Sequence, residues 1–262
     1  VVKPLRLGVV PYLNVAPIIA GLTHDPRFTI VPEVPSRLSE RLRRGEVDLG
    51  MIPSIEYARE DYTIVPGIAI GSRGAVGSVL LFHKVPLVEL RRVALDESSL
   101  TSVALLKILL PGIVGGSPEY VVRPPSLPGM LDEVDGALVI GDTALYADLD
   151  CPRLDLGEAW FARTGLPFVY AFWAGRPGAV GPQEVGLLQA SLAEGLRSIP
   201  GIASSYNGLG RGRGPENEEY LRSRIVFRLG PDQIRGLRAF YEAAHGAGLI
   251  QKVPEVRFYE HP

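Results

Sequence analysis

The chain states one plan twice, and that repetition limits what it can fold into. Leu5 to Val10 is an apolar, strand-like run; Pro11-Tyr12-Leu13-Asn14 follows, and then a helix-like stretch from Val15 to Leu22. Arg92 to Leu95 opens the second copy, with the polar segment Asp96-Glu97-Ser98-Ser99-Leu100-Thr101-Ser102 and a helix-like run from Val103 to Leu110 behind it. Each copy then reaches a matching segment. Glu46-Val47-Asp48 leads into Leu49 to Ser54, and Glu133-Val134-Asp135 leads into Gly136 to Asp142. Asp48 lies 34 positions after Asn14, and Asp135 lies 34 positions after Thr101. Small polar groups stand where a strand hands over to a helix in both copies. The expected product is two similar lobes whose helix N-termini face a shared cleft, a geometry suited to a small anion.

The length of 262 residues allows one large domain or two small ones. A net charge of −2 leaves neither a basic footprint for nucleic acid nor a cationic face for a membrane. No apolar run approaches the roughly 20 residues of a membrane span. The start, Val-Val-Lys-Pro-Leu-Arg-Leu-Gly, enters a strand almost at once and lacks the apolar segment of a signal peptide, although an initiator Met is also missing. The single cysteine, Cys151, rules out an intrachain disulfide and fits a reducing compartment. A cytoplasmic location is expected.

Strands and helices alternate through the first third. The pattern predicts strand Leu5–Val10, helix Asn14–Leu22, strand Thr29–Val34, helix Arg37–Arg44 with Ser36 as N-cap and Gly45 as stop, and strand Leu49–Ile52. This βαβαβ unit implies parallel strands with right-handed crossovers. Tyr62–Ile70 and Ala75–Phe82 read as further strands. The second copy predicts strand Arg92–Leu95, helix Thr101–Leu110, strand Tyr120–Arg123, helix Pro128–Val134 and strand Ala137–Ile140. Pro167 to Trp173 reads as a long strand returning to the first lobe, and three helices follow, over Gln183–Ile199, Glu216–Arg224 and Pro231–Ala247. A Gly/Arg linker, Gly208–Gly214, joins two of them. The expected fold is α/β and two-lobed, each lobe a mixed, mostly parallel sheet flanked by helices, with the ligand cleft between. Residues 1–86 and 172–262 form one lobe and residues 87–171 the other. Two crossings of this kind give the architecture of type II periplasmic-binding-protein folds.

His24, His83, His245 and His261 share no metal-ligand spacing, and no Gly-rich phosphate loop follows a strand, so neither metal nor organic cofactor is expected. Polar residues at the carboxyl ends of strands are the candidates for binding, because open parallel sheets take ligands there. Asn14 either caps its helix or faces the cleft. Ser98, Ser99, Thr101 and Ser102 offer more hydroxyls than one cap needs. Asp142, after Gly141, reads as the N-cap of Thr143–Ala147 or as a ligand contact, with Ser54 as its counterpart. Ser78 stands among apolar neighbours and needs a partner. Thr164-Gly165-Leu166-Pro167 shapes the cleft edge, while Trp160 and Trp173 read as core.

These segments together resemble chorismate dehydratase of the futalosine route to menaquinone. The resemblance rests on Tyr12-Leu13-Asn14 with Pro17, Gly45-Glu46-Val47-Asp48, and Ile52-Pro53-Ser54-Ile55-Glu56-Tyr57. Asp96 with Ser98-Ser99 and Thr101-Ser102, Ile140-Gly141-Asp142, Asp155-Leu156-Gly157-Glu158 with Trp160, and Thr164 to Val169 continue it. Pro11 and Gly71-Ser72-Arg73-Gly74-Ala75 depart from the family pattern. The resemblance implies a lyase that removes water from chorismate, a dianion, without a cofactor. It places the family's essential asparagine on Asn14 and a serine beside it on Ser78, with Ser72 the other candidate. It also implies that the substrate's own side-chain carboxylate takes the proton. Two other readings share the fold: a small-carboxylate solute-binding protein, and 1,4-dihydroxy-6-naphthoate synthase of the same pathway.

Overall fold

A computed structural model describes residues 3–208 and 213–261. Residues 209–212, the centre of the expected Gly/Arg linker, lie outside them. The duplicated sequence becomes a duplicated sheet plan. In the first sheet, β1 (Leu5–Val9) pairs in parallel with β2 (Phe28–Pro32) on one side and β3 (Leu49–Pro53) on the other. Further strands are β4 (Thr63–Ile64), β5 (Ile70–Ser72) and β6 (Val79–His83). In the second sheet, β7 (Arg92–Asp96) lies in parallel between β8 (Glu119–Arg123) and β9 (Gly136–Ile140). Strands β10 (Arg153–Asp155) and β11 (Phe168–Gly175) complete the set.

Each parallel trio is finished by an antiparallel strand from elsewhere in the chain. β11 runs along β3 and also pairs with β4 and β5, while β6 runs along β9 and pairs with β10. The chain therefore passes between the sheets twice. β6 lies in the second sheet, upstream of the lobe limit expected at Pro86, and β11 belongs wholly to the first. These memberships favour a lobe boundary between Ser72 and Val79, with the return ahead of Phe168.

The repeated Glu-Val-Asp has a structural cause. Asp48 accepts the Arg6 N–H at 2.7 Å, and its own N–H donates to the Arg6 carbonyl. Asp135 does the same with Arg92, at 2.9 Å. Val47 and Val134 are buried beneath. Each aspartate thus ties the third strand of its unit to the foot of the first, which sets the equal spacing.

Local chemistry shifts several boundaries. The helix expected over Arg37–Arg44 spans Pro35–Arg43, because proline suits the first turn; Val34 takes the N-cap and Ser36 lies inside. The stretch Tyr62–Ile70 breaks into β4 and β5 around Gly67, whose φ of +83° turns the chain. Ala75–Phe82 starts as a strand only at Val79. The long helices Pro182–Arg197 and Pro231–Gly246 pack on the first sheet's side, as the return of β11 requires. Trp160 and Trp173 are core residues.

Helix Pro182–Arg197 lies so close to the short helix Ala16–Ile19 that a Cβ on Gly195 would stand 1.9 Å from the Pro17 carbonyl oxygen. Gly195→Ala therefore forces backbone apart just behind Asn14. The expected loss is about 1–3 kcal/mol of stability, as for other overpacked cores, read as a lower urea midpoint at unchanged slope.

Candidate active site

A cavity lies in the cleft between the sheets. Among the described residues lining it are Tyr12, Asn14, Ser78, Ser99, Thr101, Ser102, Gly141 and Tyr170. Val10, Met51, Ile70, Val76, Val79 and Ile140 supply apolar wall, and among the described residues no lining residue carries a charged side chain. Asn14 and Thr101, the first polar markers of the two copies, thus meet at one site.

Neither acts as a cap. Asn14 lies inside a one-turn 3-10 helix, Leu13–Val15, whose N-cap is Tyr12. Its Nδ2 donates instead to the Tyr220 hydroxyl at 3.1 Å, and its Oδ1 is buried without a partner among the described residues. An unpaired buried carbonyl costs about 1–3 kcal/mol, which a bound hydrogen-bond donor would relieve. Ser78 Oγ lies 2.8 Å from the same phenolic oxygen. Tyr220 belongs to a π-helical turn, Tyr220–Arg224, an insertion frequent at functional sites.

Ser78 owes its place to Asp155. That carboxylate caps helix Leu156–Thr164 by accepting the Gly157 and Glu158 N–H groups, at 2.9 and 3.1 Å. It also accepts the Val76 and Gly77 N–H groups, at 2.9 and 2.7 Å. The Ser78 carbonyl in turn receives the Gly141 N–H at 2.9 Å. Gly141 has φ +59°, and a Cβ there would stand 2.8 Å from the Tyr12 ring. Tyr12 can cover the second sheet at this point only because the residue beneath it is glycine. Burial beside the Asp96 charge pushes the Tyr12 hydroxyl up to about 12.

The hydroxyl cluster divides. Ser98 is absorbed locally, its N–H and hydroxyl both donating to Asp96, at 2.8 and 2.6 Å. Ser99, Thr101 and Ser102 line the cavity at the start of helix Thr101–Leu109. None of these hydroxyls caps that helix; Leu100 holds the cap position, which leaves the free donors of the first turn to a ligand. Thr101 Oγ1 also accepts the Ile55 N–H across the cleft, at 3.2 Å, and touches Ser54 Oγ at 3.4 Å. The N-terminus expected to serve the ligand from the first sheet is thus occupied by the second.

Several expected residues stand outside the lining. Ser54 is wholly buried and donates to the Val169 carbonyl at 2.8 Å. Ser72 pairs with the Tyr170 hydroxyl at 3.2 Å, behind the wall. Thr164 donates to the Trp160 carbonyl at 2.8 Å and Gly165 is the left-handed C-cap of the same helix, so both terminate a helix and neither shapes the cavity. Asp142 is not the expected N-cap, a position held by Ile140. Its carboxylate accepts the Leu13 N–H at 3.2 Å and the Tyr206 hydroxyl, which closes the cleft from the second sheet's side. Burial raises its pKa, with the Tyr206 and Leu13 hydrogen bonds opposing. Tyr12, Tyr170 and Tyr220 were missed. Tyr12 stood in plain view beside Asn14, whereas Tyr220 carries no sequence signal linking it to residues so far away. Among the described residues no group of histidine, cysteine and carboxylate side chains could hold a metal.

A family model described as menaquinone biosynthesis matches residues 5–246. A chorismate dehydratase of Thermus thermophilus is 36% identical over 92% of this chain and 95% of its own length. One from Campylobacter jejuni is 32% identical over 63% of this chain and 64% of that protein. Among solved structures, a protein from Archaeoglobus fulgidus superimposes with a TM-score of 0.77 at 21% identity, covering 95% of this chain and 99% of that one. The periplasmic aliphatic sulphonate binding protein of Escherichia coli gives 0.67 at 16% identity, over 99% and 93%. The fold is periplasmic-binding-protein-like.

The Asp142 clasp makes a pH-dependent contribution. Its folded pKa is raised above the ordinary 3.8, so its contribution is complete below that value and is lost as pH rises through the folded pKa. Asp142→Asn keeps an acceptor for Leu13 and removes the titration. The stability of the variant relative to wild type is expected to climb with pH across this window, as read by denaturant unfolding at pH steps from about 4 upward. A difference independent of pH would mean the carboxylate is not desolvated.

Proposed function

The chain belongs to the menaquinone biosynthesis family, and from that membership we propose that it is a chorismate dehydratase, a hydro-lyase that converts chorismate to 3-[(1-carboxyvinyl)oxy]benzoate. The observation that carries this reading is a cavity between the sheets lined by neutral hydrogen-bonding groups, with an asparagine and a serine facing a hydroxyl-lined helix start. Chorismate is one dehydration short of an aromatic ring, so the reaction asks for alignment and stabilisation of developing charge more than for a strong acid or base.

In this reading the ring carboxylate lies at the first turn of helix Thr101–Leu109, against Ser99, Thr101 and Ser102. The C–H bond at the carbon bearing the enolpyruvyl ether breaks, and its electron pair spreads through the diene onto that carboxylate. Neutral donors already fixed in place stabilise this charge strongly because they need no reorganisation. The substrate's side-chain carboxylate accepts the proton, since among the described residues no lining residue offers a histidine, lysine or carboxylate base. The neighbouring C–O bond then breaks, the ring becomes aromatic, and the hydroxide leaves as water with that proton. Asn14 and Ser78 hold the reacting edge in line, where geometry supplies much of the rate. Ser54, Ser72, Asp142, Thr164 and Gly165 support the fold around this chemistry. The reading includes a cytoplasmic site of action, in keeping with a lone cysteine; among the described residues no helix is long and apolar enough to cross a membrane.

The test is product analysis with purified protein and chorismate, for wild type and for Asn14→Asp and Asn14→Ala. Because Asn14 caps nothing, both variants are expected to fold. Removing one preorganised polar group at a reacting centre lowers kcat by roughly 100- to 1000-fold. Asn14→Asp adds a negative charge beside a dianion and is expected to be at least as slow. A folded Asn14→Asp protein with near-normal turnover would remove Asn14 from the mechanism. Chorismate bound tightly and returned unchanged by wild type would instead favour a solute-binding role.

A further inference from the structure

Tyr220 touches both reacting-edge residues yet is not among the residues that line the cavity. Tyr220 is buried, so its single phenolic proton needs an acceptor within the protein. Asn14 Nδ2 cannot accept it. Ser78 Oγ, at 2.8 Å, can. The hydrogen bonds therefore run one way: Asn14 Nδ2–H to the phenolic oxygen, and phenol O–H to Ser78 Oγ. Two consequences follow at the cavity wall. The amide of Asn14 is held with Oδ1 unpartnered, so it offers an acceptor. The Ser78 hydroxyl, having accepted, keeps its own proton to donate.

We propose that Tyr220 is a positioning residue that fixes the hydrogen-bond polarity of the site, making Asn14 an acceptor and Ser78 a donor toward the substrate. The inference rests on the chorismate reading for the identity of that substrate. An acceptor at Asn14 is complementary to the ring alcohol that departs, and a donor at Ser78 is complementary to an ether or carboxylate oxygen. If the phenol is removed, nothing holds the amide, and its NH₂ can turn to where the alcohol must be received. The site would still close and still bind a diacid through the helix start, but it would no longer distinguish the alcohol. Tyr220 also explains why a residue from the C-terminal helical segment belongs to the site: the π-turn sets its hydroxyl between groups that lie 64 residues apart in sequence.

Tyr220→Phe keeps the ring and its packing and removes only the link. The expected result is a kcat lower by about 10- to 100-fold, as for other small misplacements of reacting groups, with KM and the chorismate dissociation constant within about threefold of wild type and little change in Tm. A chorismate analogue lacking the ring hydroxyl should bind wild type clearly more weakly than chorismate, and Tyr220→Phe should bind the two nearly alike. A Tyr220→Phe protein with wild-type kcat and undiminished discrimination overturns the proposal, as does a loss of kcat matched by a fall of Tm below the assay temperature. A second measurement does not depend on turnover. In ¹⁵N-labelled protein the Asn14 side-chain amide, assigned through Asn14→Ala, should be protected from exchange in wild type and lose that protection in Tyr220→Phe. Equal protection in both overturns the polarity argument even if the substrate proves to be another molecule, whereas wild type inactive on chorismate but with a protected amide overturns only the functional reading.

Discussion

The carboxylate of Asp142 accepts hydrogen bonds from the Leu13 N–H and the Tyr206 hydroxyl, and so ties the turn after β9 to the turn after β1 and to the C-terminal helices. Thr101 makes the complementary tie by accepting the Ile55 N–H. The Ser36 N–H donates to the Ser98 carbonyl at 3.2 Å along the same seam. Together these bonds hold the sheets against each other and limit the access of water to the space between. Without that limit, neutral hydroxyls and an amide would compete with solvent for every hydrogen bond and would be worth little to an anion.

Closure of this kind must also be reversible. A buried carboxylate with no cationic partner among the described residues is held at a desolvation cost, and each cross-cleft hydrogen bond contributes only about 0.5–1.5 kcal/mol net. The closed form is therefore stabilised by a few modest interactions, which a bound ligand can reinforce by satisfying groups such as Asn14 Oδ1. A cluster of arginines would bind a dianion more tightly in its ground state, but uniform binding does not speed the chemical step. A wall of neutral donors at the place where charge grows is the better match to a reaction driven by aromatisation.

Rigid supports surround this adjustable centre. Asp155 gathers four N–H groups from the Ser78 loop and from helix Leu156–Thr164. Gly195 lets helix Pro182–Arg197 approach the backbone of Pro17 behind Asn14. The twin aspartates, Asp48 and Asp135, fix the parallel trios from which the polar turns project. The parts that touch the cavity thus stand on elements held by several backbone contacts each, while the ties across the seam are few.

The sequence alone determined the duplicated α/β plan, because apolar periodicity and the Glu-Val-Asp repeat are properties of neighbours along the chain. It also determined Asn14 and the Ser99–Thr101–Ser102 cluster as cavity residues, since carboxyl ends of parallel strands are where such sheets open. Tertiary structure decided everything that depends on contacts between distant segments. Ser98 and Asp142 look like ligand groups in sequence, yet one is taken by Asp96 and the other by Leu13 and Tyr206. Thr164 and Gly165 look like a cleft edge and instead end a helix. Tyr220 stands far along the chain from Asn14 and gives no local signal, because hydrogen-bond polarity is set by whatever partner the fold delivers. A polar side chain in sequence is only a donor or acceptor in waiting; its use is fixed when burial removes water and leaves it a single neighbour.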